Sequence, residues 1–159
     1  MVLPVCYLTT VGRGTGRRHR IEIWYLDDDD CLYLLSGYCL KADWVRNLLA
    51  HPDVTVEIPP HAASRVRAGE SAYVADVGPF ESERGIREGL DARYHGWTAG
   101  APLSAWATDS VVVRLRPAPL CEHCGKPIGG ERITALPRAT TCITCASRHK
   151  RPSRGRTCS

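Results

Sequence analysis

Two groups of residues in this 159-residue chain have types and spacings that do chemistry. The first is Cys121-Glu122-His123-Cys124 and Cys142-Ile143-Thr144-Cys145, two C-x-x-C knuckles with 17 residues between them. Paired thiolates at this spacing close round one tetrahedral zinc ion, each knuckle giving two ligands. His123 and His149 read as bystanders, because four thiolates fill such a site. A redox pair is the competing reading. A segment this short has little core of its own, so its folding is expected to depend on the metal.

The second group is Thr9-Thr10-Val11-Gly12-Arg13-Gly14-Thr15-Gly16-Arg17-Arg18-His19. Its alternating glycines resemble part of a dinucleotide fingerprint, but that loop must open a helix and a strand follows here. What remains is a turn between two strands with Arg13, Arg17, Arg18 and His19 around it. Glycines let backbone N–H groups converge on an anion, and arginines add bidentate charge. A phosphate site and a solvated basic hairpin both fit this loop.

A third stretch, from Leu35 to Pro52, reads as strand, glycine turn and helix. Ser36 and Gly37 would expose N–H groups near the helix start, where the dipole favours an anion or a polar ring edge. Trp44 is either core or a platform for a flat ring. Asn47, a polar residue among apolar neighbours, asks for a partner. No Ser-His-Asp, Cys-His or paired-carboxylate constellation stands out. For proton donation, Ser36, Tyr38 and Tyr94 are the candidates.

The elements that must position these groups are mostly strands. Val5–Thr10 is rich in strand formers. His19–Leu26 alternates, with Ile21, Ile23 and Tyr25 on one face and Arg20, Glu22 and Trp24 on the other. Asp27–Asp30 is either a solvated hairpin turn or a calcium loop, and the ligand spacing of a calcium loop is missing. Cys31–Ser36 is then the return strand. Further strands are expected at Val54–Ile58, Ser64–Ala68, Ser71–Asp76 and Val111–Leu115. Ala42–Ala50 reads as a helix, with Trp44 over Leu48 and Val45 over Leu49, ended by Pro52. Phe80–Tyr94 reads as a second, with Ile86, Leu90 and Tyr94 on one face. Six or seven strands with two helices make the chain mainly β (α+β), a small barrel with peripheral helices.

Hydrophobic residues make up 43% and charged residues 24%, as in ordinary globular proteins. No stretch approaches the roughly 20 apolar residues of a membrane helix. The first residues lack the pattern of a signal peptide, so the expected location is cytoplasmic and free of disulfides. Charge is uneven. Residues 1–118 carry 13 Lys/Arg against 15 Asp/Glu, and residues 119–159 carry 8 against 2. The expected division is a barrel over 1–116, a Pro-rich linker over 117–119, a four-Cys finger over 120–150 and a basic tail over 151–159. That tail is either solvated or in weak contact with nucleic acid through its phosphates.

Thr10–Arg17, Ile21–Trp24, Leu34–Gly37 and Asp43–Leu48 with Pro52, followed by Tyr94–Trp97, Pro102–Ser104 and Val111–Val113, together resemble the deazaflavin-dependent nitroreductase (quinone reductase) family over about residues 3–116. The resemblance implies a split β-barrel of the flavin-reductase type. It implies a reduced deazaflavin coenzyme, or flavin mononucleotide (FMN) in related branches, giving hydride to a nitro, quinone or enone acceptor. It places the phosphate-bearing tail on Gly12, Arg13, Gly16, Arg17 and His19. It places the ring system on Ser36, Gly37, Lys41, Trp44 and Asn47, with Trp24 close to the ring. A homodimer that completes the pocket across its interface is also implied.

Cys121–Ile128, Arg132–Pro137 and Cys142–Cys145 closely resemble the DksA/TraR-type zinc finger. In that family the finger sits beside a coiled coil that enters RNA polymerase, and no coiled coil exists here. A docking or stabilising role is therefore expected of it. The rival reading of the whole chain is a non-catalytic ligand-binding barrel in a zinc-finger protein that docks on RNA polymerase or nucleic acid.

Overall fold

The computed structural model describes residues 3–63 and 65–149. The basic tail over 151–159 lies outside the described residues. The chain divides into two compact units, parted between Pro117 and Ala118.

The first unit is one antiparallel sheet of seven strands: β1 (Val5–Val11), β2 (Arg18–Trp24), β3 (Leu26–Asp28), β4 (Cys31–Ser36), β5 (Asp53–Ile58), β6 (Gly69–Val77) and β7 (Val111–Pro117). Their order across the sheet is β2-β1-β5-β6-β7-β4-β3. The two edge strands, β2 and β3, are therefore consecutive in the chain and parted only by Tyr25. The sheet has to curl until its edges meet at that residue, which is the expected split barrel. Inward residues alternate along the strands, as Cys6, Leu8 and Thr10 do in β1. Cys6 and Leu8 form a core with Leu32, Leu34, Val54, Val56, Val113 and Leu115, and Tyr25 is fully buried within it.

The corner at Tyr25 breaks the strand ladder, and the helix α2 (Glu83–His95) repairs it. Tyr94 Oη accepts from the Tyr25 amide at 2.9 Å and lies 2.8 Å from the Tyr25 carbonyl and 2.7 Å from that of Pro4. Arg93 donates to the Tyr25 carbonyl at 2.9 Å and to Asp27 at 3.0 Å. Ile86, Leu90 and Tyr94 form the buried face of α2, as the sequence spacing predicts. They pack with Leu35, Val112 and Ala107 in a second cluster.

The aspartate run is a hairpin turn. Asp28 pairs with Cys31, and Asp29 and Asp30 between them have φ of 44° and 64°, a conformation short polar side chains tolerate. Helix α1 (Asp43–Ala50) stands where expected, but its buried positions are Val45, Asn47 and Leu48, and Leu49 is exposed. The strand expected over Ser64–Ala68 is absent among its described residues. β5 pairs with β6 from Ile58 opposite Gly69 onward, so the residues between are connection only. A short helix, α3 (Ala105–Asp109), precedes β7.

The second unit holds α4 (Gly130–Ala135) and α5 (Ile143–His149), and among its described residues Ile128 is the one fully buried aliphatic side chain. No helix among the described residues is long and apolar enough to cross a membrane.

Candidate cofactor cleft and four-cysteine centre

The glycine loop joins β1 to β2 and folds back on itself. The Gly12 amide donates to the Arg17 carbonyl at 2.7 Å and the Gly16 amide to the Gly12 carbonyl at 2.8 Å. The Arg17 amide donates to Thr15 Oγ1. Gly16 sits at φ +68°, and a Cβ on Gly12 would meet Thr15 Oγ1 at 2.7 Å and His19 Nε2 at 2.8 Å. Both glycines are therefore dictated by the turn and by the close packing of His19.

Arg13 fastens this loop to α1. Its amide and its guanidinium both donate to Asn47 Oδ1, at 3.2 and 3.1 Å, and its other guanidinium nitrogen reaches Asp43 at 3.0 Å. Asn47, 5% exposed, spends its own N–H on Thr10 Oγ1 at 3.2 Å. The polar residue that asked for a partner thus has two, through three hydrogen bonds.

Between loop and helix lies a cleft of about 540 Å³, lined by Thr10, Gly12, Arg13, Gly14, Thr15, His19, Ile21, Asp43, Trp44 and Asn47. That volume is within the usual range for a small-molecule site, about 300–1,000 Å³. The structure brings five expected cofactor residues together here: Gly12, Arg13, His19, Trp44 and Asn47. Trp44 is half-buried against the core and also lines the cleft. The amides of Gly12, Arg13, Gly16 and Arg17 are satisfied within the protein, so those of Gly14 and Thr15 are the ones left to meet an anion. Arg13 keeps three of its five N–H donors. A cationic cradle of this kind beside an indole fits the phosphate-bearing tail of a flavin-type coenzyme.

The other expected site residues fall elsewhere. Gly16 and Arg17 shape the loop without lining the cleft. Ser36 is buried, and its hydroxyl donates to the Cys39 carbonyl at 2.9 Å. Tyr38 is 82% exposed, and Lys41 is exposed in the 3-10 turn Cys39–Lys41. Tyr94 lies in the barrel corner with its hydroxyl engaged by Tyr25 and Pro4, and burial pushes its pKa up.

Trp24 belongs to a second, smaller cleft of about 220 Å³, lined by Val5, Glu22, Ile23, Trp24, Leu35 and Trp106. Trp24 stacks on Tyr94 with ring centres 4.5 Å apart and planes 7° from parallel. A Cβ on Gly37 would stand 3.4 Å from Trp106 Cδ1, which places Gly37 behind the same aromatic wall. Ile21 and Ile23, alternate residues of β2, line the first and the second cleft respectively. Trp106 and its neighbour His95 were missed from sequence. The signals were the i,i+4 pair Asp91/His95 and the helix cap Ser104.

In the second unit the four cysteine sulfurs lie within 4.8 Å of one another. A tetrahedron with Zn–S bonds of roughly 2.3 Å sets its sulfurs about 3.8 Å apart. Cys124 Sγ and Cys142 Sγ are 3.7 Å apart, so the cluster fits the ion. The backbone N–H of Cys142, then those of Cys124 and His123, pull the Cys121 thiol down to about 6 against its burial. The Cys145 amide lowers Cys142, and Cys145, facing the Cys142 sulfur, is pushed up to about 12. Full ionisation of the cluster therefore calls for a cation at its centre.

Residues 1–74 match the family model described as F420H(2)-dependent quinone reductase, and residues 116–151 match the prokaryotic dksA/traR C4-type zinc finger. No curated protein matches the chain. Among solved structures, an F420 reductase is 24% identical, with 72% of this chain and 86% of that one covered and a TM-score of 0.54. A putative pyridoxamine 5'-phosphate oxidase from Listeria innocua is 24% identical over 71% of this chain and 82% of its own, with a TM-score of 0.53. The heme storage protein HutZ from Vibrio cholerae is 19% identical over 71% and 80%, with a TM-score of 0.50. These likenesses establish the fold. Residues 1–74 thus resemble the F420H(2)-dependent quinone reductases, on a fold shared with the split-barrel structures, and residues 116–151 resemble the dksA/traR C4-type zinc finger.

Proposed function

We propose that the first unit is an oxidoreductase that binds a reduced deazaflavin coenzyme and passes hydride to a nitro, quinone or enone acceptor. The observation that carries this reading is the Arg13–Asn47 lock, which holds a cationic glycine loop open against Trp44 in a cleft of coenzyme size. When bound, the coenzyme supplies the hydride, and the protein binds and orients it. Arg13, His19 and the Gly14 and Thr15 amides would hold the anionic tail. The Trp44 indole would flank the chain leading to the ring, and the β2 edge would carry the ring toward Trp24. FMN, with one phosphate, is the alternative occupant. Titration of the protein with oxidised deazaflavin and with FMN, followed by turnover with a quinone and a nitroaromatic, tests the reading. Tight deazaflavin binding with turnover supports it, and binding of neither coenzyme overturns it.

The second unit we read as a structural zinc finger on Cys121, Cys124, Cys142 and Cys145 with a docking face. Leu120, Leu136 and Ile143 are more than half exposed, and Leu136 lines a cleft with Arg132 and Arg138. Apolar residues with arginines favour an acidic partner such as RNA polymerase or nucleic acid. Co-purification with polymerase and no turnover would favour a non-catalytic barrel.

A further inference from the structure

Hydride transfer to a neutral acceptor leaves a negative charge that a proton must neutralise, and the three donors legible in sequence are badly placed. Ser36 and Tyr94 are buried with their hydroxyls engaged, and Tyr38 stands out in solvent. Beside the indoles of the second cleft, though not in its lining, stands another group. Asp91 is 1% exposed, and its carboxylate collects the Ser104 amide at 2.7 Å, the Ser104 hydroxyl at 2.6 Å and His95 Nδ1 at 2.9 Å. Burial raises its pKa, but these donors outweigh burial and hold the carboxyl below its ordinary range. An ionised carboxylate only accepts, so His95 Nδ1 carries hydrogen and the ring is fixed.

The His95 side chain is 39% exposed, and its Nε2 has no protein partner among the described residues. With Nδ1 turned into the protein, the exposed part of the ring is the part that carries Nε2. That ring stands edge-on to Trp24 at 5.6 Å and to Trp106 at 5.0 Å, the two indoles that line the cleft. The charged residue in the cleft lining is Glu22 on β2; Asp91 faces the His95 ring from the same helix, and the α3 region contributes the neutral Trp106 and the N-cap Ser104.

We infer that His95 is the proton donor of this reductase, with Asp91 its positioning residue and the Trp24/Trp106 cleft the seat of the acceptor. This rests on the reading of the first unit as a hydride-transferring enzyme. The acceptor gains a hydride from the coenzyme and a proton from Nε2 of the imidazolium, and leaves as a neutral two-electron-reduced product. His95 is left neutral, with its lone pair on Nε2, and regains a proton from water through its exposed edge. The proton released when the coenzyme is oxidised also goes to water, so the sum is reduced coenzyme plus acceptor to oxidised coenzyme plus reduced acceptor. At about 220 Å³ the cleft is below the usual range for ligand sites, so it suits a single flat acceptor ring, with the coenzyme ring outside it. The Glu22 carboxylate in its lining favours uncharged acceptors over anionic ones.

Two measurements test this. In the coenzyme-free wild-type protein, menadione is titrated while the His95 ring signals are followed by NMR, identified by their contacts with the Trp24 and Trp106 indole protons. The expected result is a saturable shift of His95, weaker with 1,4-naphthoquinone-2-sulfonate. In the holoenzyme, His95→Asn keeps the polar group facing Asp91 and removes the Nε2 end. It is expected to lower kcat about 100-fold or more, with KM and deazaflavin affinity within threefold, and His95→Ala is expected to recover activity with free imidazole. His95 signals unmoved by menadione, or a His95→Asn enzyme with kcat within threefold of wild type, overturns the assignment. If deazaflavin does not bind at all, the reductase reading falls with it, while a menadione shift would still establish that His95 meets the ligand.

Discussion

Arg13 and Asn47, thirty-four residues apart, are joined twice: the backbone amide and the guanidinium of Arg13 both donate to the same oxygen of Asn47, at 3.2 and 3.1 Å. One amide side chain on α1 therefore sets both the path of the glycine loop and the direction of its arginine. Asn47→Leu removes that acceptor and strands the Thr10 hydroxyl, whose partner is also Asn47. The expected loss of stability is about 1–3 kcal/mol, with weaker coenzyme binding. Thermal unfolding and fluorescence titration read the two effects, and a variant that matches wild type in both would show that the lock is dispensable.

Arg13→Ala takes away the charge and keeps the glycines. Deazaflavin affinity is expected to fall more than tenfold, since a charge-assisted pair with phosphate contributes about 1.5–3 kcal/mol. Unchanged affinity would remove the loop from the site.

Asp43 shares that guanidinium at 3.0 Å with its own side chain 82% exposed. An exposed ion pair adds little stability, about 0–1 kcal/mol, but its carboxylate lines the same cleft as the expected anion. Asp43→Asn is therefore predicted to tighten deazaflavin binding about twofold to fivefold at low ionic strength, with the gain fading as salt is added. Weaker binding would mean that Asp43 positions Arg13 more than it repels the ligand.

The four sulfurs predict one zinc per chain and a metal-dependent finger. Chelation, or Cys142→Ser, is expected to unfold residues of the second unit and leave the melting of the barrel in place, because the two units have separate cores. Metal analysis with amide-exchange mapping reads this. Loss of protection spread equally through β1–β7 would contradict it.

How much of this was legible in sequence follows from how local each signal is. The knuckles, the glycine loop, the buried stripe of α2 and the alternation of β1 are set by neighbours within one or two turns of chain, and each appears where expected. Arg65-Val66-Arg67-Ala68 alternates like a strand yet is a connection, because β5 already finds its partner in Gly69–Val77. A strand needs a neighbour, and alternation alone does not supply one. Tyr94 read as a free hydroxyl because its partner, the bare corner at Tyr25, lies 69 residues away. The Asp91–His95 pair carries no signal of its own within one helix, because the donors that complete its carboxylate come from Ser104, the N-cap of α3.

Asp91 also predicts an acid limit to stability. Its folded pKa is depressed, so its contribution is fully present above the unfolded value, near 3.9, and fades as pH falls below it through the folded value. Wild-type stability should therefore drop as pH is lowered from about 5 toward 2. Asp91→Asn should be less stable at pH 7, by about 2 kcal/mol or more for a broken buried network, and should lose less on acidification. Denaturant melts of both proteins across that range check the sign. Parallel pH profiles would mean that the carboxylate is not ionised in the fold, and would take away the fixed orientation of His95 with it.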